Sequence, residues 1–227
     1  MVEFKFVPIE LVIPHEHICD AHTTEVSKSI LNSGYLKHPI QAIELDNRFM
    51  ILDGHHRFNA LKSLQVNYIP LQIIKESDIT LKYWYHTGDF LQNIKFEEEN
   101  YLNTNTYTGK FNNLGGKTNL YSRYSNKLLF IWNLFKQYED KGYIRKHQPE
   151  GENWIRYDGV TLDDIKKWAS RGDVTPPGIT RFIINYRILN LNIPLNTLYE
   201  SDYKEWQKVQ GKLSKGRLYE ECVLHID

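Results

Sequence analysis

The sequence predicts an α+β protein, with a mixed sheet in its N-terminal part and a smaller α/β domain in its C-terminal part. The first 75 residues alternate strand-like and helix-like segments in the order β-α-β-β-α-β, which is typical of a mixed sheet with helices packed on it. The middle of the chain is rich in asparagine, and the last third begins a second set of helices and strands. We therefore expect a core over 1–90, a loop or lid over 91–126 and a C-terminal domain over 127–227.

The elements of the core follow from their residue patterns. Four strands are expected where apolar and β-branched runs are bounded by turn residues, namely Phe4–Ile13, Pro39–Leu45, Arg48–Leu52 and Asn67–Ile74. Two helices are expected where apolar residues recur at helical spacing, namely Thr23–Asn32 and His55–Leu64. Thr23 or Thr24 is a candidate N-cap of the first helix, and Gly34 is well placed to end it.

The rest of the chain gives a less regular pattern. Helices are expected over Lys127–Glu139, from a capping box at Thr161–Asp164 to about Arg171, and over Tyr203–Leu213. The stretch Ile179–Ile193 is strand-rich. The Asn-rich stretch from Gln92 to Asn126 predicts a long loop, and loops of that length are usually lids or disordered segments.

Composition and charge exclude several classes of protein. The 227 residues carry 28 Lys+Arg and 28 Asp+Glu, so the formal net charge is zero, which argues against a dedicated nucleic-acid binder. No apolar run reaches the roughly 18 residues of a membrane span. The two cysteines, Cys19 and Cys222, lie far apart, so neither a disulfide framework nor a Cys-based zinc site is expected. We expect a cytoplasmic protein without membrane contact.

The most informative short motif is Asp53-Gly54-His55-His56-Arg57, between a strand and a helix. Gly54 allows close backbone approach to a ligand, and the free N–H groups of the following helix turn attract anions. His55, His56 and Arg57 add cationic donors, and Asp53 is a candidate ligand for Mg²⁺ beside a nucleotide polyphosphate. The alternative is that Asp53 only caps the helix and that the histidines satisfy local backbone groups.

Residues 4–75 resemble the core of the ParB/sulfiredoxin superfamily, in which a strand–Gly–x–x–Arg–helix turn binds nucleotide phosphates. A short upstream strand, here His38-Pro39-Ile40, belongs to the same pattern. His55 stands where sulfiredoxins have their catalytic cysteine, and the helix-turn-helix domain of DNA-partition ParB proteins has no counterpart. The chain is most similar to the free L-serine kinases of this superfamily, both the archaeal ADP-dependent kinases and the ParB-like kinases associated with staphyloferrin B. That similarity extends to Val174–Leu198 and to Lys82–His86.

The resemblance implies a phosphoryl transfer from ATP or ADP to the hydroxyl of L-serine, with Mg²⁺, giving O-phospho-L-serine. It implies these roles: Glu16 as the catalytic glutamate, Asp53 as catalytic or metal-holding residue, Gly54, His55, His56 and Arg57 on the phosphates, with Lys37 and His38 nearby, and Thr180, Arg181, Trp84 and His86 on the serine side. The product would serve cysteine metabolism or siderophore synthesis.

Two other functions remain open from the sequence. A ParB-like, nucleotide-sensing regulator that binds DNA would keep the motif from Asp53 to Arg57 but would not need Glu16 or Arg181. A structural subunit without activity would need none of these residues. The sequence does not decide between ATP and ADP or fix the oligomeric state.

Overall fold

The computed structural model describes residues 3–18, 20–94, 106–122, 126–149 and 151–216. The chain divides into two compact units, one made of Met1–Pro14, Ile18–Ile79 and Ile184–Asp227, the other of His15–His17 and Thr80–Ile183. Both units are discontinuous in sequence, so their limits differ from the expected boundaries after residues 90 and 126. A sequence pattern identifies local elements, but it does not reveal that the C-terminal segment returns to the first unit.

The described residues form fourteen strands and five α-helices. The strands are β1 (Glu3–Pro8), β2 (Val12–Ile13), β3 (Tyr35–Leu36), β4 (Ile40–Leu45), β5 (Arg48–Asp53), β6 (Tyr68–Ile73), β7 (Ile79–Tyr83), β8 (Tyr85–Thr87), β9 (Thr106–Asn113), β10 (Gly116–Ser122), β11 (Ile144–Lys146), β12 (Trp154–Arg156), β13 (Thr180–Ile184) and β14 (Ile193–Pro194). The helices are α1 (Asp20–Ser33), α2 (His55–Ser63), α3 (Lys127–Phe135), α4 (Leu162–Ser170) and α5 (Tyr203–Leu213).

The first unit is built on a five-stranded mixed sheet in the order β1-β6-β4-β5-β2. The pairs β1–β6 and β4–β5 are antiparallel, whereas β4–β6 and β2–β5 are parallel. The apolar core under this sheet includes the fully buried Ile40, Ile51, Leu61, Ile69 and Leu71. The expected α+β class and the mixed sheet of the N-terminal core are therefore confirmed.

The helices of this unit agree with their expected positions. Helix α1 begins at Asp20, three residues before the expected start, with an acidic residue in its first turn that suits the helix dipole. Gly34 follows the last residue of the helix. Its φ of 69° and its N–H bond to Ile30 O (2.9 Å) fit a glycine that terminates a helix in the left-handed conformation. The expected single strand Phe4–Ile13 is instead two strands, since a 3₁₀ turn over Ile9–Leu11 follows Pro8.

The second unit holds another five-stranded sheet, in the order β10-β9-β12-β8-β11. Its strands β9 and β10 form an antiparallel hairpin over residues 106–122, so the expected loop over 92–126 is wrong for this part. The hairpin has buried positions such as Thr108, Phe111 and Leu120, but they follow no strict alternation, and the Asn-rich composition hid the strands. Residues 95–105 and 123–125 of the expected loop lie outside the described residues.

The remaining helices also begin where the sequence places them. The capping box of α4 is present, with Thr161 Oγ1 accepting from Asp164 N and Asp164 Oδ2 accepting from Thr161 N. Helix α3 ends at Phe135 rather than Glu139, because Tyr138 N already bonds three residues back, to Phe135 O. The strand-rich stretch after Ile179 contributes β13 and, after an irregular segment, β14. Among the described residues no helix is long and apolar enough to cross a membrane.

Candidate functional site

In the first unit, the turn between β5 and α2 has the geometry of an anion site. Gly54 is the N-cap of α2 and has a φ of 105°, a conformation that favours glycine. Gly54 has no side chain that could cap this helix, and the N–H groups of a first helical turn have no partner within the helix itself. The positive end of the helix dipole adds to their attraction for anions. The structure thus has a left-handed glycine at the start of α2, and phosphate binding at this turn stays a prediction.

Two arginines bond the carboxylate of Asp53 at this turn. Arg57 donates from Nη2 to Asp53 Oδ2 (3.3 Å), and Arg187 donates from Nη1 to the same oxygen. The other terminal nitrogen of Arg57 donates to two main-chain oxygens, His38 O (3.0 Å) and Pro39 O (2.6 Å). Burial lowers the pKa of Arg57, Asp53 opposes that shift and Arg187 adds to it. An arginine remains protonated in proteins, so the cluster carries an excess of one positive charge.

The histidines near the turn are buried or in contact with other parts of the first unit. His55 is buried, and His56 Nδ1 lies 3.1 Å from Thr23 Oγ1 of α1. His38 Nδ1 accepts from Asn190 N (2.9 Å), so its proton is on Nε2. Lys37 is exposed, and its carbonyl accepts from Asn192 N (3.2 Å). The residues expected at the phosphates therefore lie in the first unit together with Arg187.

In the second unit, Glu16 lies in a short extended segment that forms a parallel bridge with Thr175. His17 N donates to Thr175 O (2.9 Å) and Thr175 N donates to His15 O (2.8 Å), so the main chain is fixed on both sides of Glu16. Burial raises the pKa of Tyr143, Arg145 opposes that shift, and the negative charge of Glu16 adds to it. The expected catalytic carboxylate is thus held by a defined backbone.

A cationic and aromatic cluster of the same unit contains the expected Trp84 and Arg181. The Arg181 guanidinium lies 5.2 Å from the centre of the Trp84 ring, and Arg145 lies 6.0 Å from it. His147 stacks on Trp84 with a centroid distance of 4.4 Å, and Arg181 Nη1 lies 2.6 Å from His147 Nδ1. Since an arginine only donates, that nitrogen of His147 accepts. Guanidinium groups beside an aromatic face are a combination suited to anionic groups.

His86 is fully buried, and both of its ring nitrogens have protein partners. Its Nε2 donates to Gly178 O (2.7 Å), so Nδ1 accepts from Tyr138 OH (2.9 Å), which in turn lies 2.9 Å from Tyr157 OH. Burial lowers the pKa of His86 to about 4, although its bond to Gly178 acts in the opposite direction. His86 is therefore a neutral anchor for the turn that precedes β13, and its ring nitrogens are already bonded within the protein.

Thr180, at the start of β13, carries a hydroxyl that has no hydrogen-bond partner among the described residues. The residue is 5% exposed and its Oγ1 is buried. A buried hydroxyl without a partner costs free energy, and such groups often mark a site that a ligand completes. Gly178, two residues earlier, has a φ of 70°, and the Arg145 side chain lies so close that a Cβ would come within 2.3 Å of it.

Sequence reasoning missed several residues of these two regions. Arg187 lies in the stretch Val174–Leu198 that carries the family resemblance, but no local motif marks it. Arg145 and His147 come from a part of the chain with no recognisable pattern, and Tyr138 lies near the end of a predicted helix whose pattern does not mark it. A search for cationic residues inside the resembling stretch would have found Arg187, whereas the others become visible only once β8 and β11 pair.

The fold is that of free serine kinases. The structure matches SbnI of Staphylococcus aureus, crystallised with a C-terminal truncation, with a TM-score of 0.78, 22% identity and coverage of 93% of this chain and 96% of that chain. It matches a variant of a free serine kinase in complex with ADP with a TM-score of 0.67, 17% identity and coverage of 87% of this chain and 95% of that chain.

Sequence comparison points to the same group of proteins. The chain is 24% identical to the ATP-dependent L-serine kinase SbnI of Staphylococcus aureus over 98% of its own length and 96% of that protein. It is 28% identical to the ATP-dependent L-serine kinase of Staphylothermus marinus, over 37% of this chain and 35% of that protein. It is 25% identical to the ADP-dependent L-serine kinase SerK of Thermococcus kodakarensis over 37% of this chain and 36% of that protein. No family model matches the chain.

Proposed function

We propose that the chain is a free L-serine kinase, which transfers a phosphoryl group from ATP or ADP to the serine hydroxyl and releases O-phospho-L-serine. The observation that carries the proposal is the similarity to a serine kinase over 98% of the chain, joined with a matching fold. Each unit also has a region suited to one of the two substrates. A kinase needs a site for phosphates, a group that orients the acceptor hydroxyl and groups that hold the acceptor.

The first unit would bind the nucleotide phosphates. The turn from Gly54 to His56 presents backbone N–H groups at the positive end of α2, and these groups suit phosphate oxygens. Arg57 would hold the turn in shape, since its guanidinium already bonds two main-chain oxygens and Asp53. Lys37 and His38 border this region, His38 through its bond to Asn190.

Mg²⁺ is a cofactor in this proposal, and Asp53 is the residue that would hold it. The described residues contain no group of three or more His, Cys, Asp or Glu that could bind a metal by themselves. That fits Mg²⁺, which often uses one or two carboxylates together with substrate phosphates. The ion would neutralise charge that develops on the transferred phosphoryl group.

The second unit would bind serine. Arg181 would pair with the serine carboxylate in a two-pronged contact, because its guanidinium presents parallel donors. The Trp84 face would support that guanidinium, as the distance of 5.2 Å indicates. Thr180 Oγ1, which has no partner in the described structure, would bond the amino acid. His86 would act indirectly, by holding Gly178 and with it the start of β13.

Glu16 would orient the serine hydroxyl and accept its proton as the oxygen attacks the terminal phosphorus. The bond from that phosphorus to the bridging oxygen of the nucleotide then breaks, and the shortened nucleotide leaves. A positioned general base of this kind contributes about 10²- to 10⁴-fold to the rate. The fixed main chain around Glu16, bonded to Thr175, supplies the positioning.

The test is direct. Purified protein is incubated with L-serine, Mg²⁺ and either ATP or ADP, and ³¹P NMR follows the appearance of phosphoserine. One of the two nucleotides should give product, and the comparison settles the donor. If nucleotide binds and neither donor yields phosphoserine, the kinase proposal is wrong, and retention of DNA at low salt would then favour a regulator.

The setting of the reaction is part of the same proposal. Free serine and nucleotides are cytoplasmic metabolites, so we place the reaction in the cytoplasm, with small molecules rather than nucleic acids as partners. The product suits an enzyme that displaces phosphate from the β-carbon of serine, as cysteine or siderophore synthesis requires. Because residues 106–122 form a hairpin paired into the second sheet, a lid stays a prediction only for the remainder of 91–126, and protease sensitivity with and without substrates would test it.

A further inference from the structure

The arginine of the phosphate motif is already committed to the protein's own main chain. Arg57 Nη1 bonds His38 O and Pro39 O, and Nη2 bonds Asp53. Its side chain is only 20% exposed. Moving this guanidinium towards a ligand would break its bonds to both carbonyl oxygens, and Pro39 O would keep only the longer bond from Gln41 Nε2 (3.3 Å), which is costly. Arg57 is therefore suited to hold the turn and poorly suited to follow a ligand.

Arg187 differs from Arg57 in both respects. It donates to Asp53 Oδ2, and its side chain is 42% exposed. A guanidinium has five N–H donors, so a single bond to a half-exposed carboxylate leaves it able to exchange partners. Asp53 keeps its bond to Arg57 when Arg187 leaves, so the exchange does not strand the carboxylate.

The main chain on both sides of Arg187 is fixed by a buried amide. Gln72 donates from Nε2 to Tyr186 O (3.0 Å), and its Oε1 accepts from Ile188 N (3.0 Å). Gln41 donates to the same Oε1 over 3.4 Å, and both glutamines are almost fully buried. These bonds place the Cα of Arg187 while its side chain remains exposed. The backbone of Arg187 is thus fixed, while its side chain is able to change partners.

We infer that Arg187 is the guanidinium that contacts the nucleotide phosphates beyond the first, exchanging Asp53 for the phosphate on binding. The inference rests on the proposed function, because it requires nucleotide phosphates at the N-terminal turn of α2. An incoming polyphosphate brings more negative charge than one carboxylate, so it competes for Arg187 more strongly as phosphates are added. Arg57 acts as the positioning residue of the same turn.

Nucleotide-binding calorimetry in EDTA, without serine, tests this assignment. The Arg187→Ala variant should bind AMP within about twofold of the parent protein, and should lose about 10- to 100-fold in affinity for ATP, with ADP in between. Arg187→Lys should recover part of the loss, since it restores charge but not the two-pronged contact. Arg48→Ala is the matched control, because it removes an arginine from the start of β5 in the same unit.

The Arg57 variants give the complementary result. Arg57→Ala should lower the midpoint of urea unfolding and weaken AMP, ADP and ATP to a similar degree, because it loosens the whole turn. An equal loss for all three nucleotides in Arg187→Ala, or no loss at all, overturns the inference while leaving the kinase proposal intact. If the parent protein binds none of the three nucleotides, both the inference and the nucleotide part of the proposed function are wrong.

Discussion

In the first unit two arginines flank a carboxylate, whereas in the second unit two arginines flank an aromatic ring. Asp53 competes with an incoming anion for Arg187, so anion binding there is an exchange of partners. Trp84 is no such competitor, because a cation over a ring face keeps its in-plane donors. The difference suits a substrate of high charge in the first region and a single carboxylate in the second.

The largest expected effect is on the chemical step, not on nucleotide binding. Glu16→Gln should lower kcat by about 10²- to 10⁴-fold, because the general base is lost, and it should change nucleotide affinity by less than about twofold. Steady-state kinetics and calorimetry on the same preparation measure the two quantities. Glu139→Gln is a suitable control, since Glu139 is exposed and follows α3. A variant at Glu16 with normal kcat would remove its catalytic role.

The next-largest effect concerns His86, which supports the structure of the second unit and does not itself bind substrate. The pKa of His86 is about 4 in the folded protein and 6.5 in an ordinary setting, so the unfolded chain takes up the proton first as the pH falls. Stabilisation from neutral His86 is therefore complete above about pH 6.5 and is lost towards pH 4. The free energy of unfolding should fall by about 3 kcal/mol over that range.

Urea unfolding followed by tryptophan fluorescence checks this pH dependence, because Trp84, Trp132, Trp154 and Trp168 all lie in the second unit. The His86→Phe variant should be less stable at pH 7.5 by about 1–3 kcal/mol, since Gly178 O loses its donor from His86 and Tyr138 OH keeps only its contact with Tyr157 OH. The same variant should lose the fall in stability between pH 6.5 and 4. An unchanged fall would show that another group titrates.

A smaller effect tests the role of the cationic and aromatic cluster around Trp84. Arg181→Ala should raise the serine KM by about 10- to 100-fold with nucleotide affinity unchanged, because a charge-assisted contact to the carboxylate is lost. His147→Gln should raise it less, since His147 only orients Arg181 through Nδ1. Serine saturation curves at fixed nucleotide concentration measure both variants. An equal rise in the nucleotide KM would mean that Arg181 does not serve serine alone.

The smallest effect concerns the hydroxyl of Thr180. Thr180→Val has nearly the same shape and removes a buried Oγ1 that has no partner in the described residues, so the free energy of unfolding should stay within about 0.5 kcal/mol or rise. The serine KM should rise about 3- to 10-fold if this hydroxyl bonds the substrate. Thermal unfolding and serine saturation are measured together. A loss of stability with unchanged KM would make Thr180 purely structural.

The two regions also differ in how well the sequence predicts them. The phosphate turn lies within five consecutive residues, Asp53 to Arg57, between a predictable strand and a predictable helix. Its geometry therefore follows from local rules such as the left-handed glycine at Gly54. Even so, the motif does not show that Arg57 is occupied by His38 O and Pro39 O, because those carbonyls belong to a different segment.

The second region is assembled from four separate segments, around residues 16, 84–86, 143–147 and 175–181. Glu16, Trp84 and Arg181 enter the sequence argument only through resemblance, and His147 does not enter it at all. The hairpin of β9 and β10 escaped prediction for a related reason, since its burial pattern is irregular and its composition is rich in asparagine. Local patterns predict elements well, whereas contacts between distant segments depend on pairing that single-sequence rules do not encode.

The bridge between Glu16 and Thr175 joins residues that are far apart in the order of synthesis. His15 and Thr175, which form part of it, are 160 positions apart. A ribosome adds about 5–20 residues per second, so on the order of 10 to 30 s separate the two segments as the chain emerges. The segment carrying Glu16 is thus made early and fixed late. A nascent or truncated chain that stops before Thr175 would carry the glutamate without its support.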